Sequence, residues 1–182
     1  MAQPSTVRRF EVQLADSDRG VYETLDLRAA QHPSESDRYL VARVIARCLE
    51  HAEGVTFTKG LSADDEPAIW QRDLTDRLTA WIEVGAPSIE RLHRASKTGA
   101  RVAVYAWQRP TELARQIAEG KVHRAAELAL FALDPAFLDR VASTLDRNNA
   151  WDLSVAGGAL YLTIAGKLHE GACERIAISA GG

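Results

Sequence analysis

The chain has little of what most recognisable enzyme sites are built from. It has only two cysteines, Cys48 and Cys173, with neither metal-ligand spacing nor the count of a disulfide framework. That pattern suits a reduced, cytoplasmic setting. Its five histidines, His32, His51, His93, His123 and His169, are scattered, and no pair has zinc-ligand spacing. His169 and Cys173 are four apart, but Gly166 and Gly171 argue against a helix there, so a Cys-His nucleophile pair would have to be made by folding. A nucleophile elbow, a P-loop and a dinucleotide fingerprint are all missing. Surplus positive charge is missing too: the net charge is −3 and the pI about 6.0, which gives no global attraction to nucleic acid. No apolar run is long enough to span a bilayer, Met1–Thr6 carries no apolar signal region, and no repeat or low-complexity segment is found.

What is present is the composition of a folded domain. Hydrophobic residues make up 46% of 182 residues, enough to bury a core in a single domain spanning 1–182. Val7–Ala15 alternates Phe10, Val12 and Leu14 with Arg9, Glu11 and Gln13, a strand pattern. Turn residues Asp16–Gly20 and a weaker strand, Val21–Ala30, complete an opening hairpin. A helix is expected from the His32–Asp37 segment to Gly54, with Ser34 as cap and Glu35 in its first turn. Glu35 there either compensates the helix dipole or joins a site. Val55–Thr58 is a short strand. A helix follows Pro87 and stops at Gly99, with Ile89, Leu92 and Ser96 inward and Arg91, His93, Arg94 and Lys97 making it the most basic element. Its cations are either a solvated face or a source of one charge reaching the acids described next.

Arg101–Trp107 is apolar on both faces, a buried strand, so Thr79–Trp107 reads as a right-handed parallel crossover. Beyond it come a helix over Pro110–Glu119, a strand over Leu128–Leu133 and a helix over Pro135–Leu145 capped by Asp134. Strands flanking Gly157–Gly158 form a hairpin, and Arg175–Ser179 is an edge-strand candidate. The whole is an α/β fold with a mixed sheet and antiparallel hairpins at both ends.

The densest chemistry lies between Gly60 and Gly85. Asp64, Asp65, Glu66, Asp73, Asp76 and Glu83 are opposed only by Arg72 and Arg77. Apolar runs at Ala68–Arg72 and Thr79–Val84 predict a hairpin with a Leu74–Arg77 turn, Asp73 opposite Leu78 and Glu83 opposite Ala68. In that register Asp65 is about 10 Å along the strand from the level of Glu83, and Asp73 about 16 Å. Asp65 or Glu66 therefore shares a site with Glu83 more readily than Asp73 does. Carboxylates converging from neighbouring strands suit a hard divalent cation or a shared proton. The competing reading is a solvated acidic loop beside a structural ion pair. Trp70 and Trp81, on the same hairpin, are expected in the core.

The runs His32–Glu35, Phe57–Pro67 and Trp81–Gly85 together resemble the YaeQ family, across the whole chain. The resemblance implies a bacterial, cytoplasmic protein with a variant of the PD-(D/E)XK nuclease fold, a restriction-endonuclease-like mixed sheet between helices. It further implies that Asp65 or Glu66 stands for the first acid, Glu83 for the second and Glu35 for an accessory acid. The family pattern asks for lysine two residues after Glu83, and this chain has Gly85. Lys97 or Arg94 on the following helix is then the expected replacement cation. The implied activity is hydrolysis of nucleic-acid phosphodiesters with Mg2+ or Mn2+ held by Asp65, Glu66 and Glu83. The alternative is a non-catalytic protein with a degenerate nuclease fold that binds nucleic acid or a protein partner through the same cleft. On either reading no membrane is involved and a monomer is favoured, with the oligomeric state open.

Overall fold

A computed structural model describes residues 3–59 and 63–179. It has a mixed α/β fold with a large sheet and flanking helices. The chain divides into two compact units: residues up to Leu49 with Asp134–Cys173, and Glu50–Leu133 with the residues from Glu174 on.

In the first unit, β1 (Thr6–Asp16) and β2 (Val21–Gln31) form the expected opening hairpin in continuous register, from Thr6 opposite Gln31 to Asp16 opposite Val21. Every second residue is buried from Phe10 to Asp16 and from Leu25 to Gln31, as a strand with one covered face requires. The helix α1 spans Asp37–Leu49, and the cap is Ser36, not Ser34. Ser36 Oγ accepts the Tyr39 N–H at 3.1 Å, whereas Ser34 Oγ lies 2.6 Å from His32 Nδ1. Glu35 therefore precedes the helix instead of sitting in its first turn. The helix also stops at Leu49, short of Gly54, which serves the turn into the next strand at φ 82°. Its carbonyl there accepts the Arg72 N–H, and a Cβ at Gly54 would collide with the Arg72 carbonyl.

The same unit contains α4 (Pro135–Ala142), β8 (Asn148–Ala156), β9 (Ala159–Ile164) and most of β10 (Lys167–Ile176). Asp134 caps α4 through the Ala136 N–H, as its sequence predicts. The strand order is β2-β1-β8-β9-β10, with β1 and β8 parallel and the other pairs antiparallel. The sequence suggests only Arg175–Ser179 as a final strand. The strand begins eight residues earlier, because Gly171 is a packing position: the Phe137 ring of α4 fills the space where a Cβ would stand.

The second unit orders its strands β7-β6-β5-β4-β3, from β3 (Val55–Phe57), β4 (Ile69–Arg72), β5 (Leu78–Val84), β6 (Arg101–Ala106) and β7 (Ala129–Leu133). β5, β6 and β7 are parallel and connected through α2 (Ile89–Ser96) and α3 (Pro110–Glu119). β3 and β4 add antiparallel pairing at one side. Leu92 and Ala95 of α2, Leu113 and Ile117 of α3, and Val102, Val104 and Leu130 of the sheet form one buried cluster.

The β4–β5 register agrees with the sequence argument at Ile69↔Ile82, Trp70↔Trp81 and Gln71↔Ala80. It slips by one at the turn end, where Arg72 faces Leu78 across a bulge. Asp73 closes the turn: its Oδ1 accepts the N–H groups of Thr75 and Arg77 and the Thr75 hydroxyl. Trp70 and Trp81 are half-buried, not core residues. Trp70 carries the Arg72 guanidinium 4.4 Å above its ring, and Trp81 packs against the buried cluster.

Candidate functional site

Glu83 is the second-to-last residue of β5 and is 4% exposed. Its register partner on β6 is Val104, a residue of the cluster beneath α2, so its side chain faces that helix. A short link, residues 85–88, returns the chain to α2, whose first turn Ser88 caps through the Arg91 N–H. Arg91 therefore stands over the end of β5. Its Nε donates to Glu83 Oε1 at 2.6 Å, and the same oxygen accepts the Trp81 indole N–H at 2.7 Å. The other two guanidinium nitrogens of Arg91 donate to the backbone carbonyls of Asp64 and Glu66. One guanidinium thus ties the acidic loop to the strand. Burial pushes the Glu83 carboxyl above its ordinary pKa; the Trp81 and Arg91 hydrogen bonds oppose this without cancelling it.

The other expected site residues fall elsewhere. Asp65 is exposed, while Glu66 is half-buried and its carboxylate accepts the Lys59 N–H at 3.2 Å. Gly60, Leu61 and Ser62, part of the Phe57–Pro67 run, lie outside the described residues. Arg94 and Lys97 are exposed, and among the described residues neither pairs with an acid. The cation that reaches Glu83 is Arg91, and neither Arg94 nor Lys97 does so among the described residues. The helix rise explains why: Arg94 and Lys97 sit about 4.5 and 9 Å further along α2. The signal available in the sequence was the shortness of the Gly85–Ser88 link, which keeps only the first turn near the strand end.

Glu35 lies in the first unit. Its two carboxylate oxygens accept from Arg43 Nε and Nη2, both at 3.1 Å, and neither side chain is more than 2% exposed. Burial outweighs Arg43 and raises the Glu35 pKa.

A bound divalent cation needs several free oxygens at one point. Glu83 Oε1 is already committed to two donors, Glu66 to a backbone N–H, and Asp65 is out in solvent. Among the described residues no three His, Cys, Asp or Glu side chains gather as a metal cluster. As arranged, these residues do not fit Mg2+ or Mn2+.

A family model described as "YaeQ protein" matches residues 1–171. The chain belongs to the YaeQ family. It is 31% identical over 164 residues to the YaeQ protein of Escherichia coli strain K12, covering 90% of this chain and 91% of that one. Its fold is similar to the crystal structures of two YaeQ proteins. The one from Xanthomonas axonopodis pv. citri has a TM-score of 0.86 at 30% identity, over 96% of this chain and 99% of that one. The one from Pseudomonas syringae has 0.85 at 34% identity, over 99% and 100%.

In this YaeQ-family chain one of the buried polar groups outside the acidic stretch is a histidine. His169 of β10 is 4% exposed and has no hydrogen-bond partner at Nε2 among the described residues. Burial lowers its pKa, and the positive charges of Lys167 and Arg140 add to this. The unfolded chain takes up this proton near pH 6.5, and the folded chain only below it. The His169 contribution is therefore complete above pH 6.5 and declines as pH falls below it, until the folded imidazole also protonates. Urea unfolding across pH 5–7.5 should show stability rising with pH, with up to one proton's worth of slope, about 1.4 kcal/mol per pH unit, from His169. His169→Leu should flatten that part of the profile; an unchanged slope would mean the imidazole is solvated.

Proposed function

We propose that this YaeQ-family chain binds nucleic acid without cutting it, on a degenerate form of the PD-(D/E)XK nuclease fold. The observation that carries the reading is Arg91: it occupies Glu83, the second acid of that pattern, and binds the loop of the first. With glycine where the pattern has lysine, the acids serve to fasten a loop. Hydrolysis through such a site needs free carboxylates and a cation aimed at the phosphate, and both are spent here on each other.

Binding is supported by the outward face of α2. Arg94 and Lys97 are exposed there, and His93 Nδ1 accepts the His123 N–H at 3.2 Å, which brings the Lys121–Arg124 turn alongside. Lys121, His123 and Arg124 are exposed as well. This gathers local positive charge on a chain of net charge −3, the arrangement that holds a phosphate backbone while the rest of the surface repels it.

The test is fluorescence anisotropy with single- and double-stranded DNA and RNA oligonucleotides at low salt, with gel analysis of the same samples in Mn2+ and Mg2+. Binding should weaken as salt rises, Arg94→Glu should reduce it at least tenfold, and the oligonucleotides should remain intact. Absence of binding to every oligonucleotide would overturn the reading. Metal-dependent cleavage lost in Glu83→Gln would replace it with the hydrolase.

A further inference from the structure

A cavity of about 210 Å3 opens at the opposite end of α2 from Arg91, lined by Ser96, Gly99, Arg101, Arg124, Glu127 and Leu128 among others. We propose that it binds a phosphomonoester between the guanidinium groups of Arg101 and Arg124.

The two arginines reach the cavity from different walls. Arg101 is the first residue of β6, and Arg124 precedes a 3-10 turn, Ala125–Glu127. Each is held in place by one acid. Arg101 Nη2 donates to Glu50, whose other oxygen accepts the Tyr105 hydroxyl at 2.6 Å. Arg124 pairs with Glu127 through Nε at 3.0 Å and Nη2 at 2.6 Å. A guanidinium has five N–H donors, so these pairs orient both groups and leave donors over for a ligand. The side chains are 46% and 52% exposed, open to solvent but not fully extended into it.

Within the lining Arg101 and Arg124 face Glu127 alone, and Glu50 pairs with Arg101 from outside it. Two guanidiniums thus meet two carboxylates, and it is their spare N–H donors, not a net charge, that favour an anion. The C-terminus of α2 also points here, and its dipole would oppose an anion. Its last carbonyls are already engaged: those of His93 and Ala95 accept the Ser96 and Thr98 hydroxyls, and that of Arg94 accepts the Lys97 N–H. A tetrahedral phosphate dianion presents oxygens to both walls at once, whereas a planar carboxylate satisfies one fork. The volume leaves room beyond the phosphate for a small attached group.

The source of the phosphate is either a free metabolite or the 5′ end of a nucleic acid. The experiment is calorimetric titration at low ionic strength with glycerol 3-phosphate, and with a trinucleotide carrying either a 5′-phosphate or a 5′-hydroxyl. At least one phosphomonoester should bind, and Arg124→Gln should weaken it tenfold or more while leaving the ligand-free urea midpoint unchanged, since its exposed pair with Glu127 stabilises little. Arg101→Gln should weaken it similarly. A preference for glycerol 3-phosphate identifies a metabolite site; a preference for the 5′-phosphorylated over the 5′-hydroxyl trinucleotide identifies a strand end. No binding of any phosphomonoester, or equal binding by Arg124→Gln, overturns the proposal. The site does not depend on the nucleic-acid reading: glycerol 3-phosphate that binds while all oligonucleotides fail removes that reading and keeps this one.

Discussion

Arg43→Ala should lower the unfolding free energy at pH 7 by about 3–5 kcal/mol, the loss expected when one partner of a buried ion pair is removed. Arg43 and Glu35 have side chains only 2% and 1% exposed. Two N–H groups of Arg43 reach the Glu35 carboxylate, and Nη2 also donates to the Ala30 carbonyl at 2.9 Å. Alanine would leave the buried carboxylate, among the described residues, with only the His32 N–H at 3.4 Å, and would remove the Arg43 donor from the Ala30 carbonyl. Burial already raises the Glu35 pKa with Arg43 in place. Without the cation it should rise further. A carboxyl whose folded pKa exceeds its unfolded value binds more protons when folded, so its stability term is complete below the unfolded pKa and is lost as pH rises through the folded one. The penalty in Arg43→Ala should therefore shrink as pH is lowered from 7 toward 5. Urea unfolding of the wild type and the variant at both pH values measures this. The double variant Arg43→Met, Glu35→Leu should recover most of the loss, because an apolar pair needs no desolvation of charge. A single-variant loss below about 1 kcal/mol would put the pair in solvent, where ion pairs are weak.

Arg91→Ala should cost somewhat less, about 3 kcal/mol, because the Arg91 side chain is 22% exposed although that of Glu83 is only 5% exposed. Its effect should be more local. Arg91 is the shared donor to Glu83 and to the Asp64 and Glu66 carbonyls, so its removal unfastens the loop from the strand as well as unpairing the acid. Amide hydrogen exchange at Glu66, whose N–H donates to Ala63, and at Thr58, whose N–H donates to Ala68, should speed by more than the global loss of stability explains. Arg91→Lys should recover little, since one ammonium cannot reproduce a planar fork that serves three acceptors. Exchange at Glu66 and Thr58 that matches wild type in Arg91→Ala would show that the loop is held by other contacts.

How far these two pairs were legible in the sequence differs for a physical reason. The β4–β5 register was readable at Ile69↔Ile82 because a hairpin is fixed by its turn and by alternation over a few residues. That placed Glu83 correctly on its strand, close to an acidic loop. The bulge opposite Arg72 was not readable, because a single extra residue leaves the hydrophobic pattern on both sides intact. Ser34 and Ser36 are equivalent as caps by type; the His32–Ser34 contact removes the first from the competition and turns Glu35 inward. Arg43 gave no sign of burial, since an arginine within a helix ordinarily reads as a surface residue.

By itself the sequence determined the strand and helix order, the opening hairpin, the parallel β5-α2-β6 unit and a concentration of carboxylates near Glu83. These follow from periodicity, caps and turn residues, all of which act over a few positions. The tertiary structure alone decided which cation meets which acid. Arg91 reaches Glu83 and Arg43 reaches Glu35, while Arg94 and Lys97 stay in solvent. An arginine on any helix face offers the same charge, and only the distance and burial set by packing determine which one is taken up.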